Sequence, residues 1–133
     1  MDPLAFNPKR GIEWRDNFSV YLDPDKASTM LLRFASCDLD MDRRELRVRG
    51  ASTHVEPQVF DLLLYLIANR NHVVSKDEMV DAVWGGRIVS DVTLNSRINA
   101  ARRAVGDNGK AQALIRTVPR RGFRFVADSV AIY

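Results

Sequence analysis

Cysteine is almost missing from this chain: Cys37 stands alone among 133 residues. One thiol closes no internal disulfide and builds no cysteine-rich zinc site, so a reducing compartment, the cytoplasm, is the expectation. Long apolar runs are missing too. The longest, Leu62 to Ala68, has seven residues, whereas a membrane-spanning helix needs about 20. The first residues show no Lys/Arg cluster followed by an apolar block, so no secretory signal peptide is expected. The two histidines, His54 and His72, lie far apart without cysteine or carboxylate partners at ligand spacing, so a metal site is not expected either. Asp38-x-Asp40-x-Asp42 opens like a calcium loop, but Arg43 and Arg49 stand where such a loop requires Gly and Glu. There is no phosphate-binding loop and no Gly-x-Ser-x-Gly elbow, which argues against an enzyme or a bound cofactor. One further absence is local: no Asp or Glu lies between Val92 and Val105.

What is present suits a soluble domain able to bury a core without staples, with 46% hydrophobic and 28% charged residues. The net charge of +3 hides an asymmetry. From Arg87 to Arg124 nine basic residues face two acidic ones, a net +7, and the rest of the chain is −4. Charge gathered in one segment is the footprint of a polyanion partner. A solvated face is the bland explanation, and what elements the segment forms decides between them.

Residues 1–30 carry Pro3, Pro8 and Pro24 and little periodicity, and read as a partly ordered N-terminal arm or leader. Leu31 to Gly50 alternates as short strands, with a further one near Ala51 to Val55, giving a small antiparallel sheet. Pro57 suits the first turn of a helix whose apolar positions are too many for one face, so it should be buried on several sides. Ser75 and Glu78 form a capping box, Glu78 reaching back to the cap, at the start of a short helix stopped by Gly85-Gly86. Ser90 or Asp91 caps a third helix, 91–105, with Leu94, Ile98, Ala101 and Val105 on one face. Paired strands follow at 114–118 and 123–127 around Pro119-Arg120-Arg121-Gly122, leaving 129–133 as a tail. The architecture expected is α+β: a sheet, three helices, then a hairpin.

On a wheel of about 100° per residue, the face of the third helix opposite the core carries Val92, Ser96, Asn99 and Arg103. Asn95, Thr93 and Ala100 flank it, and Arg97 and Arg102 sit at its edges. Asn pairs bidentately with adenine and Arg with guanine, while edge Arg and Thr suit phosphates. An ordinary surface helix would mix charge signs; this one does not. The hairpin adds Arg120 and Arg121 at its tip, with Arg116 and Arg124 nearby, a protrusion suited to a minor groove.

Val73-Val-Ser-Lys-Asp-Glu-Met79, Val83-Trp84, the run from Val89 to Ile98, Ala101 to Asp107, and Ile115-Arg-Thr-Val-Pro-Arg-Arg-Gly-Phe-Arg-Phe-Val126 resemble the DNA-binding domain of OmpR/PhoB-type transcriptional regulators. The resemblance covers roughly 31–128 and implies a winged helix-turn-helix: a four-stranded N-terminal sheet, three helices and a C-terminal hairpin wing. It makes the helix from Asp91 the recognition helix. By position it assigns base reading to Asn95, Ser96 and Ala100, and phosphate contacts to Thr93, Arg97 and Arg102. Two departures stand out. Ala100 replaces a base-contacting Arg of some relatives, which shifts readout toward Asn99 or Arg103. Pro119 replaces a wing Arg, whose role falls to Arg120 and Arg121. The thirty residues before the domain are too few for a receiver domain, so the resemblance implies either an isolated domain or the one-component ToxR/CadC-like branch, which the Pro119-Arg-Arg-Gly-Phe-Arg-Phe125 wing fits better.

The function expected is sequence-specific binding of double-stranded DNA by a bacterial transcriptional regulator. The DNA-binding set is Thr93, Asn95, Ser96, Arg97, Asn99, Arg102, Arg103, Arg116, Arg120 and Arg121. Two copies on tandem or two-fold sites about one helical turn apart fit this mode of binding. The alternatives are a winged helix that contacts RNA polymerase or another regulator through the loop Gly85–Ser90, and a basic, non-specific DNA binder.

Overall fold

The computed structural model describes residues 31–133. The arm expected over 1–30 lies outside them. Four strands come first: β1 Leu31–Phe34, β2 Cys37–Asp40, β3 Glu45–Val48 and β4 Ala51–Thr53. Each is antiparallel to the one before, joined by tight turns. Alternation decides the faces, since neighbouring side chains in a strand point opposite ways. Leu32, Phe34, Cys37, Leu39 and Leu46 are buried. Arg33, Asp38 and Arg47 point outward, where Arg33 pairs with Asp38 (2.6 Å) and Arg47 with Glu45 (3.0 Å).

Three helices follow: α1 Pro57–Ala68, α2 Lys76–Trp84 and α3 Asp91–Ala104. Pro57 opens α1 at no cost, because its missing N–H would find no partner there. Nine of the twelve residues of α1 are buried, as expected from an apolar pattern that leaves no polar face. The helix packs on α2, α3 and the wing, and is the centre of the core. Ser75 caps α2 by accepting the Glu78 amide (3.0 Å). The other half of the expected capping box is not made. The Glu78 carboxylate instead accepts the Tyr65 hydroxyl (2.5 Å) and lies 3.0 Å from His72 Nε2. The phenol of the buried Tyr65 on α1 takes the place of the cap amide as its partner.

The wing is the hairpin of β5 Ile115–Val118 and β6 Gly122–Phe125. Phe125 meets Phe34 edge-on, with ring centroids 5.0 Å apart, and so ties the wing to the sheet. Residues 129–133, expected as a tail, include a last strand, β7 Ala131–Ile132. It pairs with β1 and extends the sheet to the order β4-β3-β2-β1-β7. Two residues are too short to show any alternation, and only the open edge of β1 gives them a partner. No helix among the described residues is long and apolar enough to cross a membrane.

Candidate nucleic-acid interface

Ser90 caps α3 twice over. Its Oγ accepts the Thr93 amide (3.1 Å), and its hydroxyl donates to Thr93 Oγ1 (3.0 Å). Asp91 in the first turn and Arg102 and Arg103 in the last complement the helix dipole. Leu94, Ile98 and Ala101 are buried against α1, so the opposite row faces solvent. Val92, Asn95, Ser96, Asn99 and Arg103 are all exposed there. The side chains that the wheel sets opposite the core are therefore exposed in the fold.

The edge residues behave differently. Thr93 is half-buried, with its hydroxyl drawn into the cap. Arg97 is half-buried, and its Nε donates to Gln58 Oε1 on α1 (3.2 Å). Arg102, expected at the edge of the open face, is only 5% exposed. Its guanidinium turns into the wing: Nε donates to the Ile115 carbonyl (3.0 Å), Nη2 to Thr117 Oγ1 (2.7 Å) and Nη1 to Asn99 Oδ1 (3.3 Å). Burial lowers its pKa, and the nearby Asp107 charge offsets only part of that. Ala100, half-buried, lines a hollow with His54, Val59 and Arg103 rather than the open row.

Asp107 carries a structural role that the sequence presents only as turn chemistry. It is 6% exposed. Its Oδ1 accepts the amides of Asn108 (2.8 Å) and Ala113 (2.7 Å), and its Oδ2 those of Leu114 and Ile115 (3.0 Å each). Burial works against the charge, but the four amides together outweigh it and hold the carboxyl below its ordinary range. Asp107 and Arg102 thus fasten the first wing strand to the end of α3 from two sides.

The wing tip is strained in a specific place. Arg121 N–H donates to the Val118 carbonyl (3.0 Å), closing a turn with Pro119 and Arg120 at its centre. Arg120 has φ +66°, a region that favours Gly or Asn. Gly122 is a different matter. Its φ is +144°, and a Cβ there would sit 2.0 Å from the Val74 carbonyl oxygen. That contact is possible because Val74 and Phe123 exchange both backbone hydrogen bonds (2.8 and 2.9 Å), pinning the wing to the segment before α2. Below the tip, Arg116 and Arg124 face each other across the strands, and Arg124 Nε donates to the Arg70 carbonyl (3.1 Å). Like charges directly opposite are unfavourable in isolation. Between the wing and the starts of α2 and α3 lies a cleft of about 310 Å³ whose lining includes Lys76, Asn95, Thr117, Arg120 and Arg121. Lys76 pairs there with Asp91, joining the two helix starts.

The family described as "Transcriptional regulatory protein, C terminal" matches residues 50–125, from the end of the β3–β4 turn to the last residue of β6. The chain belongs to this family. Within it, similarity is found to the transcriptional activator CadC of Escherichia coli, 32% identical over 82 residues, which are 61% of this chain and 16% of that protein. The cholera toxin transcriptional activator of Vibrio cholerae is 35% identical over 68 residues, 49% of this chain and 23% of that protein. These relatives are of the ToxR/CadC-like branch that the motifs resemble, and the chain spans less than a quarter of either. Among solved structures, the DNA-binding domain of E. coli CadC superposes with a TM-score of 0.69 at 27% identity, covering 80% of this chain and all of that one. The winged-helix architecture is therefore that of the family.

Proposed function

We propose that the chain binds double-stranded DNA sequence-specifically as part of a bacterial transcriptional regulator, in the compartment that holds the DNA. In this reading α3 enters the major groove, and the β5–β6 wing lies on the neighbouring backbone or minor groove. The observation that carries it is the outward row of α3, where Asn95, Ser96, Asn99 and Arg103 are exposed with no carboxylate from Val92 to Val105, beside a wing tipped by Arg120 and Arg121. Amide and guanidinium groups on such a row match base edges, and arginines on a protruding tip match phosphates. Thr93 and Arg97 flank the groove, and Arg116, Arg120 and Arg121 supply backbone contacts. Arg102 acts by holding Asn99 and the wing in register. The relatives, named as transcriptional activators, support the same reading.

Affinity for a duplex, measured across a salt series, tests it. Binding should weaken steeply with salt, with a slope of about −0.9 in log K per phosphate neutralised. It should also favour a selected sequence over random duplex. Absence of binding at low salt overturns the reading, and equal affinity for all sequences reduces the chain to a non-specific binder. A second reading, contact with RNA polymerase, draws on Ile88, a fully exposed isoleucine in the loop between α2 and α3. Its test is whether Ile88→Ala lowers activated transcription without changing DNA affinity.

A further inference from the structure

Val92 is the one large apolar side chain that α3 leaves in water. It is 80% exposed, whereas Leu94 and Ile98 on the same helix are 2% and 1% exposed. It does not lie at random on the surface. With Asn95, Ser96 and Asn99 it occupies spacings of three, four and seven residues, one row of a helix. It stands in the first turn, two residues after the Ser90 cap that fixes the direction of the helix. A β-branched residue gains little there for the fold: it buries little area, and its helix propensity is below that of Ala or Lys. A valine on a helix also keeps essentially one side-chain rotamer, so its methyl groups point in a set direction without an entropy cost on binding.

The chemistry of the row narrows the partner. Asn95, Ser96 and Asn99 donate and accept hydrogen bonds, and Arg103 adds a cation. Val92 offers neither charge nor hydrogen bond, so it has no use for a phosphate. The apolar group that a major groove presents is the C5-methyl of thymine, and the first turns of a docked recognition helix are the part that reaches base edges. Resting on the DNA-binding reading above, we infer that Val92 is a specificity-determining residue that packs on a thymine methyl and fixes a T·A pair in the target site.

The experiment uses deoxyuridine, which differs from thymidine only by that methyl. A preferred duplex is selected with the unaltered chain, and each thymine is then replaced singly by deoxyuridine. Affinities are measured for the chain and for Val92→Ala, whose melting temperature should be unchanged because residue 92 touches no core. At one position the unaltered chain should lose about fourfold in affinity, the value of one buried carbon. Val92→Ala should bind the thymine and uracil forms of that site equally. If no position shows methyl dependence, or if the dependence is the same in both proteins, the inference is overturned while DNA binding stands. If selection returns no preferred sequence at all, sequence-specific reading falls and the inference with it.

Discussion

The outer face of the sheet and the face formed by α3 and the wing both carry arginines, but they treat them differently. On the sheet three are answered by carboxylates: Arg33 by Asp38, Arg47 by Glu45, Arg43 by Asp40. On α3 and the wing the guanidinium hydrogen bonds end on neutral oxygens: Arg97 on Gln58, Arg102 on Ile115, Thr117 and Asn99, Arg124 on the Arg70 carbonyl. A carboxylate partner orients a guanidinium and cancels its field. A carbonyl or amide partner orients it and leaves the charge in place. The second face therefore keeps its positive potential while Arg97, Arg102 and Arg124 are held in position, which suits a surface that meets an external anion.

That contrast depends first on the wing being seated. Gly122→Ala drives a Cβ into the Val74 carbonyl at 2.0 Å and forces a non-glycine residue to φ +144°. It should cost about 4 kcal/mol or more, read as a lower urea midpoint, and it should abolish DNA binding with the wing unpinned. Asp107→Asn comes next. One amide oxygen can still accept two of the four N–H groups, but the NH₂ must then face the other two donors. A loss of about 3 kcal/mol follows from buried amides left unsatisfied. The same site sets an acid dependence. The folded carboxyl titrates below its unfolded value of about 4, so its contribution is fully present above that pH and is lost as pH falls through the folded value. Urea unfolding between pH 7 and pH 3 should show a steeper loss for the unaltered chain than for Asp107→Asn.

Much of this was legible in the residues. The apolar spacing of α3, the Ser90 cap, the tight turn at Pro119-Arg120 and the excess of arginine all follow from local pattern, and they give the winged helix and its open row. What escaped was decided at a distance. The wheel puts Arg102 at an edge, and only the arrival of β5 beside α3 supplies the Ile115 and Thr117 oxygens that turn it inward. Asp107 reads as one residue of a turn because its amide donors lie up to eight residues onward. Glu78 leaves its cap because Tyr65 is brought beside it by the packing of α1 on α2. The register of β7 on β1 has the same origin.

Arg102 and Arg120 separate holding from contacting. Arg102→Gln removes a buried donor set and leaves the Ile115 carbonyl without it, at a cost of about 1–3 kcal/mol. If Arg102 positions Asn99 rather than touching DNA, discrimination between selected and random duplex should fall while the salt slope stays the same. A slope reduced by about one would instead make it a phosphate contact. Arg120→Gly goes the other way in stability. It relieves the left-handed backbone at φ +66° and should gain about 1 kcal/mol, yet it should weaken DNA binding and lower the salt slope.

The smallest effect is the one that closes the contrast. Arg33→Ala removes an exposed guanidinium that is already neutralised by Asp38 and stacked over the Tyr133 ring. Exposed pairs of this kind contribute little to folding, and that little is screened by salt. The variant carries one positive charge fewer, just as Arg121→Ala does, so overall charge alone predicts the same loss of DNA affinity for both. Local charge predicts a difference: Arg121→Ala should reduce the salt slope by about one, and Arg33→Ala should leave slope and affinity where they were. Equal losses in the two variants would mean that net charge, rather than the uncompensated face of α3 and the wing, governs association with DNA.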